Sequence, residues 1–127
     1  MYQVFCIESI GAPRNHRAIF VELDATAGSG NIFQVTGNIQ EGMMYEVKQN
    51  LKPEESHEFL TKIFLGWVDR KDYSRINDIC CSIPPPKKQF EKNKRLYPGE
   101  PLRRCQEWTR EVIQAFENEG ILRQTLV

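Results

Sequence analysis

The sequence predicts an α+β fold, a small antiparallel sheet packed against a C-terminal helix that carries a cysteine at its N-terminal end. Two observations lead there. Over residues 1–50, β-branched and aromatic runs alternate with Gly- and Asn-bearing turns, the pattern of consecutive hairpins. From 102 to 118 the apolar residues fall instead on one helical stripe. The chain has 127 residues, and Leu, Ile, Val and Phe make up about a quarter of it, so one domain over 1–127 is expected.

Residues 2–10, YQVFCIESI, read as the first strand, and Gly11-Ala12-Pro13 interrupts it. The second, 16–23, places Ile19, Val21 and Leu23 on one face and Ala18 and Phe20 on the other, so both faces are expected to be covered. The segment 24–30, DATAGSG, is a turn, and a third strand follows over 31–36. Gly37-Asn38 turns the chain into a fourth strand over 43–49. Residues 53–63 open with Pro and acidic side chains, as a short helix would, yet their apolar content also suits a strand; Gly66 is expected to end either one. Tyr73, Ile76, Ile79 and Cys80 recur at helical spacing and predict a short helix over 72–81. Pro84-Pro85-Pro86 imposes an extended stretch without donors, and the basic run 87–95 reads as a solvated loop or helix face. The stripe of the last helix is Cys105, Trp108, Val112, Ala115 and Phe116. Gly120 suits the left-handed position after its end, with Ile121 and Leu122 folding back.

Composition excludes several function classes. The 17 basic and 17 acidic side chains cancel, which argues against a nucleic-acid partner or an anionic membrane surface. No apolar run approaches the ~20 residues of a membrane span. Residues 1–10 lack the basic start and long apolar centre of a signal peptide, so a cytoplasmic location is expected. Cys6, Cys80, Cys81 and Cys105 then read as reduced thiols. No metal site is expected: there is no C-x-x-C pair, adjacent Cys80 and Cys81 would strain to chelate one ion, and His16 and His57 stand far apart. No phosphate-cradling or dinucleotide motif points to a cofactor. A net charge near zero with several apolar elements favours a homodimer.

One position carries chemistry. A cysteine in the first turn of a helix lies among unsatisfied backbone N–H groups at the positive end of the macrodipole, and both favour the thiolate. Arg103 and Arg104 add positive charge beside Cys105. A nucleophilic thiol also needs a base, and the choice lies between His16, which opens a strand after a Gly/Pro loop, and His57, in an acidic segment. On periodicity alone Cys105 reads as a small core residue.

The order of a strand-borne histidine, a hairpin and a cysteine opening a late helix resembles the circularly permuted papain-like hydrolases and acyltransferases. These include the NlpC/P60 peptidases, the lecithin:retinol acyltransferase-like proteins and the PPPDE peptidases. The segment 16–22, H-R-A-I-F-V-E, resembles their H-W-x-I-Y-V-G strand; 31–37, N-I-F-Q-V-T-G, resembles the strand that bears a third polar residue; 104–113, R-C-Q-E-W-T-R-E-V-I, resembles their N-C-E-H-F helix start. The C-Q-E-W start is also similar to that of small fungal proteins. The resemblance implies Cys105 as nucleophile, His16 as general base and Gln34 as the group that orients the imidazole. Asn15, Arg104, Gln106 and Trp108 flank them as substrate-binding candidates, and the substrate is a small molecule or peptide with a carbonyl group. Arg104 and Arg17 stand where the acyltransferases have Asn and Trp, which weakens a lipid substrate. Two classes therefore remain: a thiol-dependent hydrolase or acyl transferase, and a non-catalytic binding domain on the same scaffold with Cys105 structural.

Overall fold

A computed structural model describes residues 1–125; the last two positions of the expected unit lie outside the described residues. The fold is α+β. Strands β1 (Tyr2–Ser9), β2 (His16–Asp24), β3 (Ser29–Asn38) and β4 (Gly42–Leu51) form an antiparallel meander. Its turns follow from their side chains. Asp24 Oδ1 accepts from the N–H groups of Thr26 and Ala27 at 3.0 and 3.1 Å, and Asn38 Oδ1 accepts from that of Glu41 at 2.9 Å. The chain then crosses to the far side of β1, where β5 (Phe59–Val68) pairs with it, and β8 (Leu122–Arg123) pairs with β5. The six-stranded, curled sheet has the order β4-β3-β2-β1-β5-β8.

Helices α1 (Tyr73–Ser82) and α2 (Cys105–Asn118) pack on one face of this sheet. Both faces of β2 are covered, as the alternation implies: Ile19 and Val21 join Trp108, Val112 and Phe116 beneath α2, while Ala18 and Phe20 join Phe5, Ile7 and Ile32 on the opposite face. Beyond α2, the N–H of Ile121 donates to the Phe116 carbonyl and that of Gly120 to Glu117, with Gly120 at φ +71. This is a Schellman closure, and it turns Ile121 and Leu122 back into the core. No helix among the described residues is long and apolar enough to cross a membrane.

One open alternative is resolved and three expectations are corrected. Residues 53–55 form only a 3-10 turn, and the apolar run after them is the strand β5. Gly66 continues that strand instead of ending it. It sits at φ +153 beside a register shift, and a Cβ there would lie 2.5 Å from the Arg123 carbonyl oxygen, so glycine lets β8 approach. The basic run 87–95 holds a two-stranded hairpin, β6 (Phe90–Glu91) with β7 (Lys94–Arg95), turned through Lys92 at φ 56. The last helix also starts at Cys105, not 102. Arg104 is its extended N-cap, whose N–H donates to Glu107 Oε1 at 2.6 Å.

Candidate active site

The start of β2 is fastened to the first turns of α2. The Arg14 guanidinium donates to both Glu107 carboxylate oxygens, at 3.1 and 2.7 Å. The Gln106 amide donates to the Asn15 carbonyl, and the Thr109 hydroxyl donates to the Arg17 carbonyl at 3.3 Å. These contacts fall on either side of His16 in sequence. They hold its imidazole beside Cys105, the first residue of the helix.

The second anchor comes from the sheet. His16 and Gln34 share the face of Ile32, away from Phe33 and Val35, which lie under α2. The ring Nε2–H of His16 donates to Gln34 Oε1 at 2.8 Å. An amide oxygen only accepts, so this bond places the proton on Nε2 and leaves Nδ1 for the thiol. Gln34 in turn donates from its Nε2 to Glu46 Oε1 at 2.8 Å, directly across the β3–β4 ladder.

Electrostatics follow from this placement. Burial pushes the Cys105 thiol up. The His16 hydrogen bond, the Arg17 backbone N–H and the charges of His16 and Arg14 outweigh it and hold the thiol below its ordinary value. His16 is raised chiefly by its bond to Cys105; burial opposes the rise and Gln34 adds to it. Both shifts favour the thiolate beside a protonated imidazole. The other thiols differ. Burial raises Cys6 and pushes Cys80 up to about 12, and Cys81 is exposed with its S–H on Asn77 at 3.8 Å. Iodoacetamide at neutral pH followed by peptide mapping is therefore expected to modify Cys105 first, then Cys81. Labelling of Cys81 with Cys105 inert in the folded protein is the opposite result.

His16 stands at the end of its strand and lines clefts on both sides of the sheet. The smaller, about 300 Å³, contains Cys105 and is walled by the loop 11–14, the turn 37–40 and Arg104. The larger, about 650 Å³, lies on the side away from α2, with Gln34, Ile7, Ile32 and Lys48 in its wall. The structure thus gathers Cys105, His16 and Gln34. It sets Arg104 and Gln106 beside the thiol and Asn15 just behind, bonded through its carbonyl to Gln106. Trp108 is not with them. It is 0 % exposed, its indole N–H donates to the Ile83 carbonyl at 3.0 Å, and it belongs to the core, because its place on the apolar stripe faces the sheet. His57 is exposed ahead of β5. Sequence reasoning missed Glu46 and Arg14. Glu46 is legible only once the β3–β4 register is fixed, and Arg14 has no signal until the loop path is known. Among the described residues, no group of three or more His, Cys, Asp or Glu is gathered to hold a metal ion.

A family model matches residues 4–123, a span that takes in β1 from Val4, the other strands and both helices. The chain belongs to this family, DUF6540, a family of unknown function. No curated protein and no solved structure is significantly similar to the chain. The DUF6540 match contains the whole Cys105–His16–Gln34–Glu46 constellation but assigns it no chemistry.

Proposed function

We propose that the protein is a thiol-dependent hydrolase or acyl transferase that works through an acyl-enzyme on Cys105. The observation that carries this reading is His16 set beside Cys105 at a helix N-terminus, hydrogen-bonded to Gln34 at 2.8 Å and open to a cleft. The chain order of these residues is similar to that of the circularly permuted papain-like enzymes, which supports the assignment of roles.

In this mechanism the Cys105 thiolate attacks the carbonyl carbon of the substrate, and a C–S bond forms as the π electrons move to oxygen. First-turn N–H groups of α2, which have no partner within the helix, are the donors available to that developing charge. The intermediate collapses, the bond to the leaving group breaks, and protonated His16 supplies the leaving group with its proton. Neutral His16 then takes a proton from water or from another acceptor as that acceptor attacks the thioester. The C–S bond breaks and the thiolate–imidazolium pair returns. Substrates are small molecules or peptides with an ester, thioester or amide carbonyl. Arg104, in the wall of the cleft, suits acyl groups that bear a negative charge.

The second reading, a binding domain with a structural thiol, is favoured by one observation: Cys105 is only 6 % exposed. Intact-protein mass spectrometry after incubation with an activated ester, p-nitrophenyl acetate, separates the two. The enzyme reading expects one acetyl group, mapped to Cys105 and missing in Cys105→Ala. A folded parent protein that gains no acetyl group at Cys105 supports the binding domain.

A further inference from the structure

We propose that Glu46 is a positioning residue for this site: by holding the Gln34 amide in one orientation, it fixes which nitrogen of His16 carries the proton. The inference rests on the acyl-enzyme reading, because it concerns the base of that mechanism.

The argument starts from the shape of an amide. Oxygen and NH₂ are nearly equal in size, so packing around the buried Gln34 side chain, 7 % exposed, does not by itself tell one end from the other. A carboxylate does, because it only accepts. Glu46 lies directly opposite Gln34 in the β3–β4 ladder and takes its NH₂ at 2.8 Å, which turns the amide oxygen to His16 at 2.8 Å. Turned over, the amide would set its oxygen against the carboxylate and its NH₂ against the ring N–H. His16 would then have to carry its proton on Nδ1, and an Nδ1–H cannot accept the proton of Cys105. One carboxylate thus decides the tautomer of an imidazole it does not touch.

The charged surroundings give a competing explanation that the test must separate. Lys48, on the same strand, has its Nζ 3.9 Å from Glu46 Oε1 and also acts on His16. Removing the Glu46 charge leaves Lys48 unbalanced and disfavours the imidazolium directly. Around the thiol stand the charge of Arg14, the N–H of Arg17 and, farther off, Cys6. Of these groups only Lys48 belongs to β4.

Glu46 is partly exposed on the edge strand, and Glu46→Gln keeps its shape while losing its acceptor-only character. The measurement is the iodoacetamide labelling rate of Cys105 against pH. Glu46→Gln is expected to slow labelling about tenfold at pH 6, as a wrong tautomer costs a dyad its base, with the melting temperature unchanged. In a Gln34→Ala background the same substitution should change nothing, since there is no amide left to orient. Nitrogen NMR of the His16 ring supplies a second readout, with the Nε2–H form dominant in neutral His16 of the parent and lost in Glu46→Gln. The proposal is overturned if Glu46→Gln labels at the parent rate, or if it slows labelling equally without Gln34, which would mark a pure charge effect. His16→Ala, run alongside, separates the two levels. If it slows labelling and Glu46→Gln does not, only the role of Glu46 falls; if it too leaves the rate unchanged, the acyl-enzyme reading falls with it.

Discussion

Replacing Phe116 with Ala is expected to destabilise the protein by about 3–5 kcal/mol, the usual range for removing a fully buried phenyl group. Phe116 is 0 % exposed and, with Val112 and Trp108 of the same helix, packs on the β2 side chains Ile19 and Val21. The loss has two parts, the transfer of the ring and the cavity left among strands that cannot follow a helix fixed at both ends. Its carbonyl also accepts the N–H of Ile121, so loosening the last turn exposes Ile121 and Leu122 and frees β8. Denaturant unfolding should show the loss directly, with a fall of the melting temperature by about 10 °C or more. A loss under about 1 kcal/mol contradicts the packing of α2 on the sheet described above.

Much of this architecture is legible in the residues, and the exceptions have physical causes. In β1 to β4 the β-branched and aromatic runs are separated by turns bearing Gly, Asn or Asp, and in α2 the buried residues form one stripe, so the strands are legible from their runs and the helix from its period of 3.6. Strand β5 carries apolar residues on both sides, and Leu60, Ile63 and Phe64 remain exposed, so no period marks its type. The β6–β7 turn uses Lys92 at φ 56, where a turn signal would need Gly or Asn, and so it reads as a charged loop. At the site, the helix position of Cys105 and the strand-end position of His16 are visible in the chain, and the family resemblance joins them. Glu46 and Arg14 act through cross-strand register and loop path, which single-strand patterning does not encode. Trp108 shows the reverse error: nearness in sequence to Cys105 suggested a substrate contact, while helical phase had already assigned it to the core.

The central claim is that His16 activates Cys105, and the labelling rate of Cys105 against pH tests it most directly, in the parent and in His16→Ala. The thiol is held below its ordinary value and His16 above its own, so each charged form favours the other. The parent should label well below pH ~8.5, the range of a free thiol, and lose rate on acidification as the thiolate takes a proton. In His16→Ala the hydrogen bond and the positive charge are both gone. Burial is then opposed only by the Arg17 N–H, Arg14 and the helix terminus, and the whole profile should move to higher pH. At pH 6 the variant is expected to label at least about tenfold more slowly, while remaining folded. Parent and variant profiles that superimpose near the free-thiol value would contradict the account and leave Cys105 a structural thiol.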